Sequence, residues 1–106
     1  MKINVTKKDI WKGNRHCNRS CPIALALRRS LPEFKYIIVN GPFCRLKRTE
    51  IDLPRRCMTF VLKFDAYGRK AVKPFSFIIP DAKLKRARRE LRASLGTTKG
   101  MPLDVI

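Results

Sequence analysis

The longest apolar segment of this chain is Ile23–Leu27, which has apolar side chains on every face of a helix. Pro22 stands before it, at a position where a helix tolerates the missing N–H of proline. Arg28 and Arg29 follow it, and Pro32 prevents its continuation. A short helix that is apolar all round must be covered on all sides. The pattern therefore predicts a core helix over residues 21–30.

The N-terminal segments show the two other elementary patterns. Ile3 and Val5 alternate with polar residues, which predicts a short strand. Thr6 and Asp9 have the spacing of a capping box, so a helical turn is expected to begin there and to end at Gly13. Residues 14–20 form a polar, basic loop that leads into the core helix.

The middle of the chain combines strand formers with turn residues. Residues 33–39 and 43–53 predict two strands joined at Asn40-Gly41, although the alternation within 43–53 requires a bulge or a break. Between Pro54 and Gly68, strand and helix compete. The length of the segment, its leading proline and its closing glycine favour a helix over 54–67. Residues 72–79 predict the last strand.

The final helix has the clearest periodicity. It is expected to begin at Asp81, to run to residue 95 and to end at Gly96, with 96–106 as a flexible tail. Its narrow apolar stripe comprises Leu84, Ala87, Leu91 and Leu95. The order β-α-α-β-β-α-β-α predicts a single α+β domain over 1–95, in which helices cover an antiparallel sheet of about four strands.

Two segments resemble short uncharacterised proteins of phages and bacteria. The first, residues 2–27, contains Thr-x-x-Asp-Ile, a glycine and Cys-x-x-x-Cys-Pro-Ile-Ala-Leu-Ala. The second contains a Leu-Pro helix and then Val-x-Pro-Phe-x-Phe, ending at residue 79. The resemblance implies a small soluble protein encoded by a phage, and it brings no established activity. The basic helix 81–95 lies beyond the resembling segments.

Net charge is the strongest global signal. The 106 residues include 25 Lys and Arg against 8 Asp and Glu, which gives a formal charge of +17. This excess predicts a polyanionic partner, such as nucleic acid, a nucleoprotein complex or an acidic protein surface. The first residues lack the apolar region of a secretory signal, and no apolar run approaches the roughly 20 residues that span a bilayer. We therefore expect a cytoplasmic protein without a membrane partner.

The last helix carries the densest cationic surface. Arginine-rich helices bind phosphates or enter a major groove, whereas the plainer alternative is a solvated helix face. The candidate contacts on this helix are Lys83, Lys85, Arg86, Arg88, Arg89 and Arg92. The candidate flanking contacts are Arg15, Arg19, Arg45, Lys47 and Arg48.

Aromatic residues near these cations could stack on unpaired bases. Tyr36 and Phe43 lie in apolar runs, so we expect both in the core. For Trp11 the sequence does not decide between a position on the surface and one in the core.

Cysteine spacing allows only half of a metal site. Cys17 and Cys21, with His16 beside the first, have a spacing that zinc sites use, but no second pair completes the four ligands. Cys44 and Cys57 are isolated in apolar contexts and are expected to be buried. We therefore predict no cofactor, with zinc as the alternative.

Catalytic motifs are absent from the sequence. Glu50 and Asp52 could hold a divalent ion in a nuclease, but an exposed edge strand explains them equally well. The sequence predicts a non-enzymatic nucleic-acid-binding protein. The alternative is a phage accessory protein or inhibitor that docks on an acidic host protein.

Overall fold

The computed structural model describes the backbone of residues 1–100 and the side chains of residues 1–93, and over this range the chain has an α+β fold. This confirms the predicted fold class. In chain order the elements are β1 (Lys2–Val5), α1 (Lys7–Lys12), α2 (Pro22–Ser30), β2 (Ile37–Val39), β3 (Phe43–Leu46), β4 (Thr49–Asp52), α3 (Arg55–Tyr67), a 3₁₀ turn (Arg69–Ala71), β5 (Phe75–Ile78) and α4 (Asp81–Gly100).

Helix α2 lies at the centre of the molecule. Ile23, Ala24, Ala26 and Leu27 are completely buried, and Pro22 stands at the first helical position. The helix packs against α1, β1 and β2. The prediction from its unbroken apolar run is confirmed, because a helix with no polar face is stable only under cover.

The strands form two small sheets instead of the single predicted sheet. Strands β1 and β5 pair antiparallel from Lys2↔Ile78 to Val5↔Phe75, whereas β2, β3 and β4 form an antiparallel meander. Arginines occupy backbone acceptors on both outer edges of the β1–β5 pair. Arg29 donates to the carbonyl of Asn4 at 2.8 Å, and Arg56 donates to that of Ser76 at 3.0 Å. Each contact satisfies one outward carbonyl on an edge that could otherwise pair with another strand.

Residues 43–53 are a hairpin, so the single strand predicted there is wrong. The chain turns at Lys47-Arg48, where Lys47 has a positive φ of 58°, and Leu46 pairs with Thr49. The turn is the break that the imperfect alternation required. It brings the buried side chains of Cys44, Leu46, Thr49 and Ile51 to one face of the hairpin.

Three predicted boundaries need correction. Strand β2 contains only Ile37–Val39, because a turn follows α2 and Phe34 donates its N–H to the carbonyl of Leu31. Strand β5 is confined to Phe75–Ile78, because only these residues pair with β1, which ends at Val5. Helix α4 continues past Gly96 to Gly100, and residues 101–106 of the predicted tail lie outside the described residues.

Helix α3 is less buried than its apolar sequence indicates. Cys57, Phe60 and Phe64 face the core, whereas Met58 and Leu62 are exposed. The helix therefore covers the core with one face only.

Candidate nucleic-acid interface

Helix α4 docks through the predicted stripe and presents its cations outward. Leu84 and Ala87 are buried, Leu91 is half-buried, and the helix contacts β4. The side chain of Leu95 lies outside the described residues. Because the stripe fixes the rotation of the helix, most of the cations point to solvent. The exposed ones are Lys83, Lys85, Arg86, Arg89 and Arg92, and Arg88 is half-buried.

The tip of the β3–β4 hairpin and helix α4 enclose a cleft of about 490 Å³. The cations Arg45, Lys47, Arg48 and Arg86 line this cleft, which we call the basic cleft. The fold thus joins two cationic segments that are separate in the sequence. Arg86 also belongs to an exposed surface of α4. Lys85, Arg89 and Arg92 lie on the same surface, because Arg89 follows Lys85 by four residues and Arg92 follows Arg89 by three.

Two glutamates also line the basic cleft and contact two of its arginines. Glu90 accepts a hydrogen bond from the hydroxyl of Thr49, and its other oxygen lies 3.7 Å from the guanidinium of Arg86. Glu50 accepts a 2.8 Å hydrogen bond from Arg45 on the neighbouring strand. Exposed ion pairs of this kind contribute about 0–1 kcal/mol to stability. A phosphate group can therefore compete with the glutamates for Arg45 and Arg86 at little cost, while Glu90 keeps its hydrogen bond with Thr49.

The nuclease alternative gains no support from this geometry. Glu50 is paired with Arg45 across the hairpin, and both Glu50 and Asp52 are exposed. Among the described residues, no group of three or more His, Cys, Asp or Glu side chains is placed to hold a metal ion, and catalysis stays untested.

Arg88 and Arg15 serve packing in the structure. Arg88 donates to Glu33 at 2.9 Å and ties α4 to the connection between α2 and β2. Arg15 donates three hydrogen bonds of 2.7–3.0 Å to the carbonyls of Asp65 and Ala66, the unsatisfied acceptors at the end of α3. We leave both side chains out of the interface.

Arg19 is exposed in the loop 14–20, which does not line the basic cleft. That loop is held instead by α3 and β2, because Asn18 accepts the N–H of Val39 and His16 donates its N–H to Asp65.

The aromatic predictions are only partly correct. Tyr36 is 71% exposed, so its predicted place in the core is wrong: β2 begins one residue later, and the ring stands outside the sheet. Its carbonyl accepts the N–H of Lys47 at 3.2 Å, which places it beside the hairpin turn. Phe43 is half-buried. Trp11 is 54% exposed, with the guanidinium of Arg69 4.4 Å from the centre of its ring.

The cysteines are all free thiols in two kinds of environment. Cys17 and Cys21 line a second cleft of about 520 Å³, together with His16, Asp65 and residues of α3. A hydrogen bond from Ser20 and the N–H of Arg19 lower the pKa of Cys17. Burial raises the pKa of Cys21, and it raises the pKa of Cys44 and Cys57 to about 12. Burial of Cys44 and Cys57 is confirmed, and zinc stays an untested alternative.

These environments predict selective alkylation. At about pH 8, iodoacetamide should modify Cys17 first in the native protein, because only about one part in ten thousand of a thiol with a pKa of about 12 is thiolate there. Mass spectrometry of digested protein would locate the adduct. The Cys17→Ser variant should lose the fast phase. Modification of Cys44 or Cys57 at the same rate as Cys17 would contradict the buried placement.

No family model matches the chain, and neither the curated proteins nor the solved structures give a significant match. The resemblance to phage and bacterial proteins therefore stays a prediction. Within the described part of the chain, no helix is long and apolar enough to cross a membrane.

Proposed function

We propose that this protein binds nucleic acid through the basic cleft and the adjoining exposed surface of α4. The observation that carries the proposal is the convergence of Arg45, Lys47 and Arg48 with Arg86 in one cleft. A net charge of +17 provides the long-range attraction, and the convergence provides a place where several phosphates are contacted together.

The shape of this surface suits a phosphate backbone. Lys85, Arg89 and Arg92 form a row on the exposed side of α4, and the cleft lies beside it at Arg86. Arginine matches phosphate oxygens with two parallel N–H groups, so an arginine-rich row favours defined phosphate contacts over solubility alone. Arg45 lies on β3, and the α4 cations lie on one helix, which keeps their spacing fixed; Lys47 and Arg48 lie in the two-residue turn between β3 and β4.

A salt titration tests the proposal. Fluorescence anisotropy would follow binding of duplex DNA, single-stranded DNA and RNA of equal length. The four cations of the basic cleft, with one phosphate contact each, should alone weaken duplex binding about a hundredfold between about 50 mM and about 200 mM salt. Absence of binding to all three probes at the lower salt concentration would refute the proposal.

The acidic-protein alternative predicts a different result in the same preparation. In a pull-down from lysate, a complex with an acidic protein should survive nuclease treatment. Partners that are held only through nucleic acid should be released. A stoichiometric, nuclease-resistant protein complex, together with no binding to the three probes, would favour the alternative.

A further inference from the structure

A second cationic surface lies on helix α1 and the 3₁₀ turn, which are not part of the basic cleft. Lys7, Lys8, Trp11 and Lys12 are exposed on α1, and Arg69 and Lys70 are exposed on the turn. On the helix, Lys7 and Lys8 stand four and three residues before Trp11, so they flank its ring.

The fold fixes the position of Arg69 over Trp11. Gly68 ends α3 with a φ of +86°, a conformation that suits glycine. Arg15 binds the last carbonyls of α3, and it belongs to the loop that follows α1. Gly13 ends α1 so close to α2 that an added Cβ would lie 2.6 Å from Cδ of Pro22. The two elements that carry Trp11 and Arg69 are therefore both anchored.

The charge of this surface is not neutralised within the described residues. Asp9, the acidic residue of α1, is buried and paired with Arg29. No described acidic side chain forms an ion pair with Lys12, Arg69 or Lys70. In the basic cleft, by contrast, Arg45 and Arg86 have carboxylate neighbours. An anion can bind the second surface without displacing a carboxylate.

Trp11 remains 54% exposed although Arg69 lies over its ring. Leaving a tryptophan ring exposed is unfavourable, because burying its large apolar surface would contribute to the free energy of folding. A flat aromatic ring and a guanidinium plane are the two groups on which proteins stack unpaired bases, with lysines nearby for phosphates. A membrane fits less well, because α1 has only six residues and its exposed face is mostly lysine.

We propose that Trp11 and Arg69 form a second nucleic-acid contact, a stacking site for an unpaired base. The proposal rests on the proposed function for the class of its partner. It adds a preference for single strands that the basic cleft does not provide, because bases in a duplex are already stacked.

Tryptophan fluorescence reports on this site alone, since Trp11 is the single tryptophan of the sequence. A single-stranded oligonucleotide should quench the emission of Trp11, and a duplex of equal length should bind with little quenching. The Trp11→Leu variant should bind the single strand about 5- to 150-fold more weakly, and Trp11→Phe should recover part of this loss because its ring still stacks. Neither substitution should change duplex affinity. Circular dichroism would confirm that both variants fold.

The two proposals can fail separately. Unchanged Trp11 emission at a single-strand concentration that saturates the anisotropy signal would overturn the stacking site and leave the basic cleft standing. Equal loss of single-strand and duplex affinity in Trp11→Leu would also overturn it. A response of Trp11 to anionic lipid vesicles but not to oligonucleotides would do the same. No anisotropy change with any probe would refute both proposals.

Discussion

Replacing Lys85, Arg89 and Arg92 by glutamine is expected to weaken duplex DNA binding by up to about 500-fold at about 0.1 M salt. Each phosphate contact contributes about 0.9 to the slope of log affinity against log salt, so three contacts account for about 2.7, which is about 500-fold at about 0.1 M salt relative to about 1 M. All three side chains are exposed on α4, and none belongs to the stripe that docks the helix. Glutamine preserves helix propensity, so the fold should be unaffected. Anisotropy at several salt concentrations would measure both affinity and slope.

A charge-matched variant separates this surface from net charge. Arg55, Lys63 and Lys73 are exposed cations outside the basic cleft, on α3 and before β5. Replacing these three by glutamine removes the same charge. It should change the slope by less than one contact, about 0.9. An equal loss in both variants would show that binding depends on overall charge, and it would remove α4 as the contact.

The sequence predicted well the elements whose signals are local. The capping box of Thr6 and Asp9 is present, and α2 and α3 match their prolines and glycines to within one residue. It failed where very short strands decide the structure. The two-residue turn at Lys47-Arg48 has no glycine or asparagine to mark it, and a run such as 33–39 looks like a strand although its first half forms a turn.

The sequence predicts which cations of α4 are exposed, but it does not predict which cations are paired with residues far along the chain. The outward cations of α4 follow from the apolar stripe, because helix periodicity fixes which side chains are exposed. The pairing of Arg88 with Glu33 and the capping of α3 by Arg15 depend on tertiary neighbours far along the chain. One pair within the site has a local signal in the sequence: Glu90 stands four residues after Arg86, the spacing of a helical ion pair.

Asp9 stabilises helix α1, which carries part of the second cationic surface. It is 4% exposed, and it accepts hydrogen bonds from the N–H and the hydroxyl of Thr6 and from the guanidinium of Arg29. Arg29 also reaches the carbonyl of Asn4 in β1. One carboxylate thus caps α1 and joins α1 to α2. Burial alone would raise the pKa of Asp9, but the hydrogen bonds from Arg29 and Thr6 bring it below its ordinary value of 3.8.

Replacing Asp9 by alanine is expected to lower the free energy of unfolding by about 2–4 kcal/mol at pH 7. Removing one partner of a buried ion pair costs about 3–5 kcal/mol, and we reduce this because the partner left behind, Arg29, has a side chain that is 49% exposed and can be solvated. Because the folded pKa of Asp9 lies below the unfolded one, its contribution is complete above the ordinary value of 3.8 and disappears as pH falls through the lowered folded pKa. The difference between variant and wild type should therefore shrink in acid. Urea unfolding followed by circular dichroism would measure this difference in the free energy of unfolding at pH 7 and at a pH below the folded pKa of Asp9.

Asp52 provides the matched control, because it is an exposed carboxylate on β4. Asp52→Ala should change the free energy of unfolding by no more than about 0.5 kcal/mol, as surface substitutions usually do. If Asp9→Ala proved equally mild, or if its cost were the same in acid as at pH 7, the carboxylate would not be the joint between α1 and α2. Trp11 lies two residues after Asp9 on α1, with the guanidinium of Arg69 4.4 Å from the centre of its ring, so we expect its emission to change when that joint is lost. We therefore expect Asp9→Ala to weaken single-strand quenching as well as stability, while duplex binding through the basic cleft is retained at temperatures where the variant is folded.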